Sequence, residues 1–192
     1  YKSGKTVRVI TLTYIGLTVA EFLCLWAAGM TPFDAINHAF STIATGGFST
    51  KNSSIMFYDS NVINIIIMVF MTLAAMHFGV IYSSIATRSF KPFNHPITRY
   101  YLLVILVLSV LATLSLTIQG GLKFPEALMS GSFQVISFIS TTGFGQADNA
   151  IWPIMANAIL LFAGFHCGCS GSTTGGIKAD RMYISLKAIA GD

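Results

Sequence analysis

Read as apolar and polar positions, the chain is a series of long apolar runs joined by short polar links. Residues 9–30 carry one charge, Glu21, and no charged residue occurs between Asp59 and Arg88, Arg99 and Lys123, Glu126 and Asp148, or Asp148 and Lys178. A membrane-spanning helix needs about 20 apolar residues at roughly 1.5 Å each. The pattern therefore predicts full spans at 9–29, 61–87 and 100–118, and a last apolar segment from Trp152. Between them lie two shorter segments, "TPFDAINHAFSTIA" (31–44) and "FPEALMSGSFQVISFIS" (124–140), each running into Thr and Gly. Such a segment reads as a half-helix that enters the membrane and turns back. Span, short segment, Gly/Thr stretch, polar link and span thus occur twice, in residues 1–90 and 91–192. Pro32 and Pro125 open the two short segments, as suits a first helical turn. The expected fold is an all-α membrane protein of two tandem helix–re-entrant loop–helix repeats.

Composition agrees. Of 192 residues 54% are hydrophobic and 9% charged, against about 25% charged in soluble domains. The repeat places both chain ends and the middle linker on one side of the membrane. That side would hold Lys2, Lys5, Arg8, Arg88, Lys91, Arg99, Lys178, Arg181 and Lys187, and the other only Lys51 and Lys123. Such an excess marks a cytoplasmic face and accounts for the basic charge without nucleic acid. Both short segments then enter from outside, and lipid is a partner. The apolar run at the start is too long for a secretory signal. The chain starts at Tyr1 rather than Met, as a piece of a longer protein would.

The polar chemistry sits in three Gly/Thr-rich stretches, "ATGGFST" (44–50), "STTGFG" (140–145) and "GFHCGCSGSTTGGIK" (164–178). Unpaired carbonyls in lipid are costly, so irregular backbone there lines a watery path or is buried in protein. Gly admits unusual backbone angles, and carbonyls so presented can replace the water around a cation. The third stretch has five Gly in fifteen residues and is a poor helix; broken helices in transporters line ion paths. It lacks the Gly-Lys-Ser/Thr ending of a phosphate loop. "GCSG" (168–171) is like the nucleophile motif of rhomboid intramembrane proteases, but no His follows Ser170, and His166 reaches it only on a helix. Cys167 and Cys169 have no nearby set to complete a zinc site, and three cysteines make no disulfide framework. Glu21 is the one acid inside a span, a functional candidate by default, read here as reaching the interface or pairing with a short-segment group. His77 is read as a buried, hydrogen-bonded helix histidine.

"NHAFSTIATGGFSTKN" and "FQVISFISTTGFGQAD" resemble the second and third pore loops of the TrkH/KtrB potassium transporters, TrkH branch. The resemblance implies four helix–pore-loop–helix repeats around one ion path, of which this chain carries two; the first and fourth repeats are missing partners. It implies filter strands at Thr45, Gly46, Gly47 and Phe48, and at Thr141, Thr142, Gly143 and Phe144, holding potassium through backbone carbonyls. Gly171-Ser172-Thr173-Thr174-Gly175-Gly176-Ile177-Lys178 follows the family's intramembrane gating loop, which also takes in Gly168, Cys169 and Ser170. The implied function is part of a potassium-translocating pore subunit, not an enzyme. The bound ion is potassium, with no covalent cofactor. Also implied are a homodimer, a TrkA-like cytosolic nucleotide-binding ring and the bacterial inner membrane. A non-potassium cation pore and a solute transporter with broken helices are the alternatives, with an intramembrane serine protease a distant third.

Overall fold

The computed structural model describes residues 2–190. Its regular elements are helical: α1 (Lys2–Ala27), α2 (Pro32–Ile43), α3 (Asn61–Ala74), α4 (Phe78–Thr87), α5 (Pro96–Ile118), α6 (Phe124–Ile139), α7 (Ile154–Phe165) and α8 (Ala179–Ala190). Helix α1 runs unbroken because nothing in it lacks an N–H. It stops at Gly29, whose φ of +102° lets Met30 N donate back to Leu25 O at 3.1 Å, the helix-ending turn that favours Gly. Thr31 then caps α2, its hydroxyl accepting from Asp34 N at 3.1 Å, with Pro32 in the first turn. At roughly 1.5 Å per residue, α2 and α6 are about 18 and 24 Å long, short of the roughly 30 Å hydrocarbon core.

Among the described residues, two helices are long and apolar enough to cross a membrane, Thr6–Ala27 and Pro96–Ile118. Their outer faces are apolar too. Ile15, Val19, Leu23 and Trp26 on α1, and Leu103, Leu106 and Val110 on α5, are all exposed. Water would penalise these faces and lipid does not. The core lies inside, where α3 touches both α2 and α6, and α5 packs along α6. Gly131 lets α6 approach so closely that a Cβ there would sit 3.2 Å from Thr113 N on α5.

The span expected over 61–87 is not one helix. It bends by 103° between α3 and α4. The cause is not a breaker, since Ala74, Ala75 and Met76 all favour helix. The groups freed at the bend are taken by residues far along the chain. Cys169 N donates to Ala75 O at 2.8 Å, the Thr173 hydroxyl to Ala74 O at 3.2 Å, and Phe78 N to Gly171 O at 3.2 Å. His77 is accordingly not a buried helix residue. It is exposed and caps α4, its Nδ1 accepting from Gly79 N at 3.0 Å. The last apolar segment likewise gives only the twelve residues of α7 before the backbone leaves the helix at His166.

Candidate functional site

The two short helices end in the same way. Ala44 and Ser140 close α2 and α6 in right-handed geometry, and the next residue, Thr45 or Thr141, turns left-handed at φ 53° in both. Thr45 N donates to Thr42 O at 3.0 Å and Gly46 N to Ser41 O at 2.8 Å. Thr141 N and Thr142 N make the corresponding bonds to Phe138 O and Ser137 O, both at 3.0 Å. Gly is the usual occupant of such a turn, and a side chain there costs about 1–2 kcal/mol. In both segments the Thr hydroxyl has a use that Gly could not serve.

That use is the loop between α7 and α8. The Thr45 hydroxyl shares its proton between Ala44 O at 2.7 Å and Thr173 O at 3.1 Å, and the Thr141 hydroxyl accepts from Gly175 N at 3.0 Å. Residues 173–175 are thus tied to both Thr/Gly segments at once. The loop is non-helical from 167 to 178 and closes by a parallel bridge between His166 and Ile177. Inside it the Ser172 hydroxyl donates to Cys169 O at 2.6 Å, and the Lys178 amine donates to the Thr174 carbonyl. The Asp180 carboxylate accepts from Ser170 N. Gly168 lies against the bend, where a Cβ would stand 2.5 Å from Ala75 O. His166 Nε2 meets the Tyr100 hydroxyl at 2.9 Å rather than Ser170, so no nucleophile–base pair forms there.

The two Thr/Gly segments also meet each other. A Cβ on Gly47, whose φ is +69°, would fall 2.1 Å from the Thr142 carbonyl oxygen. Gly143, at φ +85°, has open space beside it. The phenylalanines part company: Phe48 is exposed, whereas Phe144 is buried with its ring 5.8 Å from His38. The Ser137 hydroxyl donates to Phe144 O at 2.9 Å, and Met56 N donates to Gly145 O at 3.2 Å, binding the second segment to the first half of the chain.

A polar cluster behind the first segment was not singled out from the sequence. The Asp34 carboxylate accepts from the Thr50 hydroxyl at 2.6 Å and pairs with Lys51 at 3.2 Å. The Thr50 bond, with help from Lys51, holds that carboxyl down to about 2 despite its burial. His38, one turn further along α2, is fully buried, which pushes its imidazole below its ordinary value. Neutral, it donates from Nδ1 to Asp34 O at 2.7 Å and accepts at Nε2 from the Ser49 hydroxyl at 2.9 Å. Residues 49–51 are thereby fixed to the start of α2. The legible signal was the spacing, since Asp34 and His38 stand four apart on one helix face.

The chain matches the family model TrkH, described as cation transport protein, over residues 3–191. It is 40% identical over 188 residues to the Trk system potassium uptake protein TrkH of Escherichia coli K12, covering 96% of this chain and 38% of that protein. To TrkH of Halomonas elongata it is 36% identical, over 95% of this chain and 38% of the relative. The crystal structure of the potassium transporter TrkH from Vibrio parahaemolyticus superposes with a TM-score of 0.91 at 35% identity, over 97% of this chain and 41% of that one. The chain therefore spans about two fifths of the length of these relatives. The relatives are named as transporters and not as enzymes.

Proposed function

This chain belongs to the TrkH family of cation transport proteins, and from that premise we propose that it forms part of a potassium-translocating pore subunit. Residues 45–48 and 141–144 are its share of the selectivity filter, and 168–178 its gating loop. In this reading residues 1–90 and 91–192 are two tandem helix–re-entrant loop–helix repeats of a four-repeat pore. The remaining repeats, a second copy of the subunit and a cytosolic nucleotide-binding ring belong to the full-length assembly.

One observation carries the reading. Both Thr/Gly segments leave the C-terminal end of a short helix through the same left-handed Thr, and both threonines bond to one loop. A helix C-terminus bears partial negative charge, so α2 and α6 favour a cation beside Thr45 and Thr141. Non-helical backbone at membrane depth has a place where it faces an ion path, and carbonyls can stand in for a cation's water. The loop at 173–175 then lies across that path, latched by the Lys178 amine on Thr174 O.

The test is cation flux into liposomes bearing the full-length protein. Potassium and rubidium should pass far faster than sodium. Equal passage of sodium would favour a non-selective cation pore, and no cation passage at all a solute transporter.

A further inference from the structure

Glu21 has no part in the filter or the loop, yet among the described residues it is the most enclosed of the Asp, Glu, Lys and Arg side chains. It lies in α1 at 0% exposure, and neither carboxyl oxygen has a hydrogen-bond partner. Of the two roles expected from the sequence, reaching the interface is excluded by this burial, and pairing with a group of a short segment is left. The described residues enclose it completely. The neighbouring helices also bring it no cation. The helices packed against α1 are α2, α3 and α4. Their titratable residues are Asp34, His38 and Tyr82, and none contains Lys or Arg. Lys51 is occupied by Asp34.

Among the polar groups of these helices, the Thr42 hydroxyl on α2 faces Glu21. That hydroxyl has already given its proton to His38 O at 2.8 Å. What it offers Glu21 is a lone pair, which repels a carboxylate and accepts from a carboxylic acid. Burial of an unpaired charge points the same way. We propose that Glu21 is a proton-binding site, held as the neutral acid, whose O–H is directed at Thr42 Oγ1 and braces the end of α2. Thr42 is where this matters, because its carbonyl takes Thr45 N at 3.0 Å and so anchors the left-handed turn. Glu21 is thus a positioning residue for the first Thr/Gly segment, acting through Thr42 from the side away from the ion. The functional half of this proposal rests on the filter reading above; the protonation half does not.

The experiment uses the full-length protein. Infrared spectra of wild type should contain a carboxylic-acid carbonyl band that is lost in Glu21→Gln. In flux, Glu21→Gln should keep the potassium-over-sodium preference, since its amide N–H can still donate to Thr42. Glu21→Leu, which cannot donate, should lower it by roughly two- to tenfold, the scale of one hydrogen bond, and should add nothing in a Thr42→Val background. A missing acid band overturns the protonation whatever the flux. A Gln variant as impaired as Leu, at normal expression, overturns the positioning role. Should Gly47→Ser leave preference unchanged while the acid band persists, the filter reading fails and the proton site stands.

Discussion

Gly47 and Gly143 hold equivalent places before Phe, but their neighbours make them unequal. Any side chain on Gly47 meets the Thr142 carbonyl, whereas on Gly143 it meets open space and strains only the backbone angle. Gly143→Ala should cost about 1–2 kcal/mol and shift ion preference modestly. Gly47→Ser should displace the second segment as well and collapse preference; permeability ratios for both variants in the full-length protein check this, and equal effects would deny the asymmetry. Asp34 carries a pH dependence of known sign. Its folded value, about 2, lies below the ordinary value near 3.9. Its contribution is therefore complete above about pH 4 and lost as pH falls toward 2. Melting temperatures of wild type and Asp34→Asn should differ at neutral pH and converge in that acid range. Both glycines were legible as special from their place before Phe in the repeated motif. Their inequality was not, because it depends on Thr142, ninety-five residues from Gly47 in sequence.

Among the elements, the short helices α2 and α6 could be read from their length, their Pro starts and their Thr/Gly ends, because those signals are local. The break before α4 could not. No Pro or Gly announces it within residues 74–77, and its cause lies in partners at 169–173. His77 was misread for the same reason, as its capping role exists only once the helix is broken. The polar cluster of Asp34 and His38 was half visible, since the spacing was there but the partners at 49–51 come from the returning chain. The loop itself makes a direct prediction. Deleting residues 169–174 from the full-length protein should raise potassium flux while leaving its preference over sodium nearly unchanged, because the Thr/Gly segments keep their own helix-end bonds. Unchanged flux at normal expression would make the stretch a structural break and no gate.

For the whole molecule, charge and apolar runs predict an orientation that can be measured. Cysteines placed at Lys51 and Lys123 of a cysteine-free full-length protein should react with an impermeant thiol reagent from outside, and one at Lys91 should not; outside labelling of Lys91 would invert the arrangement. The bend in α3–α4 carries a consequence of its own. In a continuous helix Ala74 O would accept from Phe78 N and Ala75 O from Gly79 N. In the bent form the same acceptors serve Thr173 and Cys169, while Phe78 N serves Gly171 and Gly79 N serves His77. The straight and bent chains are therefore rival pairings of one set of backbone groups. On the gating reading proposed above, withdrawal of the loop would free the acceptors that straightening would reclaim. A hinge of this kind would be a partner exchange, with its barrier at the moment between partners.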